Sequence, residues 1–138
     1  VGGTRYSTPR AQFMAYYLNL LLDDVRQVSA GPSTAIEQLV GISEKDVLIA
    51  ISFPRYSKST VNAIRFARER GAFAAAITDS LFSPLTEHAN ESLVARSDMA
   101  SFVDSLVAPL SLINAIIVGT GRLNTPETTK RFQELEQI

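Results

Sequence analysis

The run Val47-Leu48-Ile49-Ala50-Ile51 contains no polar residue and opens directly into Ser52-Phe53-Pro54-Arg55-Tyr56-Ser57-Lys58-Ser59-Thr60. A short continuous apolar run rich in β-branched residues fits a strand covered on both faces, as in a parallel sheet between two helical layers. Ala72 to Thr78 repeats the pattern and ends in Asp79-Ser80. Between the two runs, Ser57 to Arg70 reads as a helix, with Val61, Ile64, Phe66 and Ala67 inward and Arg65, Arg68, Glu69 and Arg70 outward. Gly71 is its stop.

The same alternation extends both ways. Thr8 to Asp23 carries Phe13, Met14, Tyr17, Leu18, Leu21 and Leu22 at helical spacing, with Pro9 in the first turn and Ser7 or Thr8 as cap. Val25 to Ala30 reads as a short strand, Ser33 to Leu39 and Ser83 to Ala89 as short helices, and Ser92 to Ala95 as a strand. Phe102 to Val118 reads as a long apolar helix kinked at Pro109, and Pro126 to Gln137 as a polar one. Val1-Gly2-Gly3 reads as the end of a strand that is largely missing, which suggests further polypeptide upstream. The sum is one α/β domain over 138 residues: a three-layer, flavodoxin-like parallel sheet of five strands in the order 2-1-3-4-5. In such sheets ligands bind beyond the carboxyl ends of the strands, where the order reverses.

Two hydroxyl-rich loops fall at that place. One is Gly2-Gly3-Thr4-Arg5-Tyr6-Ser7-Thr8-Pro9; the other begins at Ser52. A helix N-terminus presents unpaired N–H groups and a partial positive charge, a ready anion site. Ser7, Ser52 and Ser57 are the candidate phosphate ligands, with Gly3 for close backbone approach and Arg5, Arg55 and Lys58 as cations. Helix capping is the plainer role for any one of these hydroxyls, but it accounts less well for two such loops at two strand ends.

Composition closes other routes. The net charge of -1 gives the domain no electrostatic footprint for nucleic acid. Zero Cys and a single His disfavour a disulfide framework, a thiol nucleophile and a zinc site. No apolar run approaches the roughly 20 residues of a membrane span: Leu110 to Val118 is interrupted by Ser111 and Asn114. No signal peptide is visible, so the expected location is cytoplasmic. G-x-G-x-x-G is absent from the first loop, and the acidic cluster of a receiver domain is missing. His88 beside Glu87 reads as an ordinary helix residue, and Asp79 as a turn cap. Leu106, Leu110, Ile113 and Ile117 read as core or a subunit interface, as do Phe13, Met14, Tyr16 and Tyr17.

The stretch ISEKDVLIAISFPRYSKSTVNAIRFARERGAFAAAITDSLFSPLTEHAN resembles the SIS (sugar isomerase) domain, in the form that follows the DNA-binding head of RpiR-type transcription regulators. The matching segments are Asp46 to Ser52, Pro54 to Thr60, Glu69-Arg70-Gly71-Ala72, Ile77-Thr78-Asp79-Ser80 and Ser83-Pro84-Leu85. Pro54 and Arg55 stand where the family carries a second Ser and a Gly, and Ser59 where it carries a Glu. The resemblance implies a phosphosugar-sensing effector domain in a homodimer, without cofactor, metal or membrane. It implies contact with DNA only through a separate N-terminal domain outside this chain. The alternative is an aldose/ketose phosphate isomerase, which needs a base near the sugar C1–C2 bond. With Ser59 replacing the Glu, no catalytic residue is assigned.

Overall fold

The structure, a computed structural model, describes residues 2–3, 8–28, 34–54, 56–96, 107–123 and 125–137. Four parallel strands lie side by side in chain order: β1 (Gly2–Gly3), β2 (Val47–Ile51), β3 (Phe73–Thr78) and β4 (Glu91–Val94). The helices are α1 (Thr8–Leu21), α2 (Ala35–Gln38), α3 (Lys58–Glu69), α4 (Val107–Leu123) and α5 (Thr125–Glu136). The layered α/β architecture is the expected one.

Side-chain alternation along β2 and β3 sorts the core into two halves. Ile51 and Ile77 point to one face, where they meet Met14, Leu18 and Leu21 of α1 and Ile113 and Ile117 of α4. Leu48, Ala50, Ala74 and Ala76 point to the other, against Ala63, Ile64 and Ala67 of α3. Ala63 and Ala67 stand one helical turn apart. Alanines from both the helix and the strands make up most of this seam. At the far end of α3, Gly71 takes φ +88°, a left-handed conformation that costs glycine little. Asn90 starts β4: its N–H donates to Ala74 O at 2.8 Å, and its side-chain oxygen accepts from Ala74 N–H at 2.9 Å.

Two expectations are corrected. First, of the strand expected over Val25 to Ala30, only Val28 forms a bridge, and Val25 to Gln27 adopt no regular structure; residues 29 and 30 lie outside the described residues. Arg26 is instead held locally by Asp24 at 3.0 Å, beside the positive φ of Asp24, and the polar pair Arg26-Gln27 leaves little apolar face to cover. The four described strands are the first, third, fourth and fifth of those expected, and they lie side by side as the order 2-1-3-4-5 requires of them; the place of the second strand falls partly outside the described residues. Second, Ser83 to Ala89 is a chain of turns, not a helix. Its backbone bonds run Ser83 N to Ser80 O, Thr86 N to Ser83 O and His88 N to Leu85 O. The Thr86 hydroxyl donates to Ser83 O at 2.7 Å and Leu81 O at 2.9 Å, and such side-chain bonds compete with a helical ladder. Pro109 is the third described residue of α4. Residues 102–106, Leu106 included, lie outside the described residues.

Of the helix stripe read as core or interface, Ile113 and Ile117 belong to the domain's own core. So does Met14, while Tyr16, Tyr17, Val107, Val118 and Leu123 are exposed. Helix α5 is tied back to the end of α1 by Arg131, which reaches Asp23 at 2.8 Å and Glu127 at 3.4 Å. No helix among the described residues is long and apolar enough to cross a membrane.

Two substitutions test this packing. Ile77→Ala removes a fully buried side chain and is expected to lower unfolding free energy by about 2–5 kcal/mol. At Gly71 an added Cβ would make ordinary contact with Glu44, nearest at its Cβ at 3.4 Å. Gly71→Ala is therefore expected to cost about 1 kcal/mol through backbone strain alone. Urea denaturation with an unchanged m-value checks both.

Candidate functional site

Strand register decides which loops meet. Gly3 pairs with Ile51, and Ile51 with Ile77. The chain leaves β1 and β2 at neighbouring points on one edge of the sheet, about 4.8 Å apart in the hydrogen-bonding direction. Each exit leads to a helix, α1 from Thr8 and α3 from Lys58. Neither helix has an acidic residue in its first turn, whereas α2 and α5 carry Glu37 and Glu127 in theirs. The two N-termini at this edge keep their positive character.

Ser52 is 1% exposed, and its N–H extends the ladder to Ile77 O at 3.0 Å. Ser57 is the N-cap of α3, and its Oγ accepts from Ser59 N–H at 3.2 Å. A hydroxyl that caps spends a lone pair and keeps its O–H. Capping therefore leaves Ser57 able to donate to an anion. Lys58 is exposed in the first turn of the same helix. Gly3 is present as a paired strand residue; Arg5, Ser7 and Arg55 lie outside the described residues.

Two residues that sequence reasoning passed over stand at this edge. Arg10, in the first turn of α1, is 3% exposed, and its guanidinium lies 4.4 Å from the centre of the Phe53 ring. Phe53 directly follows Ser52, so the stack joins the start of α1 to the second loop. The signal was available: a cation in a helix's first turn opposes the dipole and calls for another reason to be there. The second is Tyr56, whose phenol donates a short hydrogen bond to Asp79 Oδ1. The Thr78 hydroxyl donates to the same oxygen at 3.3 Å. Burial, reinforced by the Asp79 carboxylate, raises the Tyr56 pKa above its ordinary value.

Asp79 was expected to cap the turn after β3. That work falls to hydroxyls instead: Ser80 Oγ accepts from Phe82 N–H at 3.1 Å, and Ser83 Oγ from Leu85 N–H at 3.4 Å. Asp79 is thereby left to hold Tyr56. His88 is half-buried, and its backbone carbonyl accepts from Arg68 at 2.9 Å; Glu87 beside it is exposed. Among the described residues no three His, Cys, Asp or Glu side chains are grouped to hold a metal.

Comparison with known proteins places this geometry. An uncharacterised HTH-type transcriptional regulator from Haemophilus influenzae is 42% identical over 53 residues, which is 38% of this chain and 18% of that protein. The match thus spans under a fifth of the length of that relative. Among solved structures, the sugar isomerase domain of an RpiR transcription factor from Sphaerobacter thermophilus superposes with a TM-score of 0.91 at 27% identity. It covers 99% of this chain and 76% of that one. The Vibrio vulnificus NanR protein, solved with ManNAc-6P, gives 0.77 at 20% identity, covering 99% and 52%. The SIS domain profile matches residues 1–119, and the chain belongs to the SIS domain family.

Proposed function

We propose that this chain is the phosphosugar-sensing effector domain of a transcription regulator and holds the sugar phosphate between its two hydroxyl loops. The observation that carries the reading is the register of Gly3 on Ile51, which starts both loops side by side beneath two helix N-termini without first-turn acids. Ser7, Ser52 and Ser57 donate to the phosphate oxygens, Gly3 allows the backbone close, and Arg5, Arg55 and Lys58 supply charge. Membership of the SIS family and the likeness to domains named as regulators support the role. NanR, with ManNAc-6P bound, supports the ligand class.

In this reading the regulator is cytoplasmic and contacts DNA through a separate N-terminal domain. The domain works as a homodimer whose arrangement the ligand biases. A ligand shifts such an equilibrium only by its differential affinity for the two arrangements. The exposed Tyr16, Val107, Val118 and Leu123 supply apolar surface for the second copy, in place of the buried Ile113 and Ile117. Light scattering is expected to give a dimer mass at tens of micromolar protein; a monomer mass would remove the dimer.

Binding rather than catalysis follows from the carboxylates. An isomerase base must stand roughly 3 Å from a carbon-bound proton. Ser59 occupies the position of the family's Glu, and Asp79 is engaged by Tyr56. Aldose and ketose phosphates in heavy water are therefore expected to show no exchange of C1 or C2 protons above the buffer rate. NMR exchange that disappears in His88→Ala would reverse this reading.

The anion site itself is tested by separating capping from binding. Aspartate is as good an N-cap as serine but repels phosphate. Ser57→Asp is expected to keep the wild-type melting temperature within a few degrees while abolishing phosphosugar binding in calorimetry. Ser52→Ala is expected to weaken it about tenfold or more, through loss of a charge-assisted bond. Unphosphorylated parent sugars that bind as tightly as their phosphates would refute the site.

A further inference from the structure

We propose that Tyr56 is the positioning residue of the second loop, and that its bond to Asp79 holds Ser52 and Ser57 in the arrangement that receives the phosphate. This rests on the function proposed above and assigns the loop's geometry to one side chain.

Tyr56 lies between the two serines in sequence, and it reaches across to the residue just past the end of the neighbouring strand. At its near end the loop is fixed by the ladder bond from Ser52 N–H to Ile77 O. At its far end it is fixed by entry into α3 at the Ser57 cap. Pro54 lies between and has no N–H to donate. The Tyr56 ring packs against the α3-side core that contains Leu85, and its phenol ends on the Asp79 carboxylate. Thr78 and Ser83, both buried, also turn their hydroxyls toward this pair. The bond therefore ties the β2 exit to the β3 exit within a half-buried group of polar side chains, where a charge-assisted bond is stronger than in water. The raised Tyr56 pKa keeps the phenol protonated, and so a donor, throughout the neutral range.

Asp79 serves here as an acceptor, and its charge strengthens the bond without setting its geometry. Asparagine offers the same acceptor oxygen in nearly the same place. This gives a rescue that a merely structural role would not predict. The experiment uses the full chain and inorganic phosphate as probe, followed by amide NMR at Ser57, Lys58 and Ser59. Tyr56→Phe and Asp79→Ala are each expected to weaken phosphate about tenfold, and the double variant no further than either alone. Asp79→Asn is expected to stay within about threefold of wild type. In the ligand-free protein, Tyr56→Phe is expected to speed hydrogen exchange at the Ser59 amide, which Ser57 Oγ holds, while Asp79→Asn leaves it unchanged.

Unaltered exchange and affinity in Tyr56→Phe would overturn the proposal, as would additive losses in the double variant. A wild-type protein without phosphate-induced shifts at the start of α3 would instead defeat the function proposed above. The exchange measurement would then still decide whether Tyr56 holds the loop.

Discussion

The parallel register of β1, β2 and β3 is the constraint on which the rest depends. Side chains alternate along a strand, so a slip of one residue sends each to the opposite face. Moving β3 by one place against β2 would turn Ile77 toward α3 and its alanines toward α1. It would also separate Ser52 from the Ile77 carbonyl that receives its N–H at 3.0 Å, and Tyr56 from Asp79. The core and the candidate site are two expressions of the same pairing. The apolar halves resist a one-residue slip because it would exchange the alanine-rich side under α3 for the bulkier side under α1.

Above that register, the site economises on groups. Ser57 caps a helix with a lone pair and retains a donor. Asp79 closes no turn of its own because Ser80 and Ser83 do so, which leaves its carboxylate for Tyr56. Arg10, stacked on Phe53, places a buried cation between the first helix and the second loop. None of these residues has a single duty that the fold alone would explain.

The elements legible in the sequence are those whose signal is local. β2 and β3 announce themselves by unbroken apolar runs, α3 by its inward and outward faces and its Gly71 stop, and the second loop by its hydroxyls. Where tertiary bonds decide, local reading falls short. Ser83 to Ala89 has helix-compatible residues, but the Thr86 hydroxyl takes the carbonyls at Ser83 and Leu81. Arg26-Gln27 interrupts the apolar run, and Val25 to Gln27 take no regular structure. Tyr56 and Asp79 stand 23 positions apart, and nothing in either local segment points to the other. Ser52 and Ser57 are proposed from loop chemistry; the residues proposed to hold or neighbour them come from the structure alone.

The two faces of the sheet also differ in mechanical character. Under α3 alanines make up most of the contact, with Ala63, Ala67, Ala74 and Ala76 set among Leu48, Ile64 and Leu85, and an alanine methyl has no rotamer to exchange. Under α1 the contact is made by Met14, Leu18, Leu21, Ile113 and Ile117, whose side chains can settle into alternative staggered states. A pull on both helix N-termini would therefore meet a stiff anvil on one side and a compliant spring on the other. Motion would run through α1 into α4 and α5, which pack against it, while α3 keeps its place on the sheet.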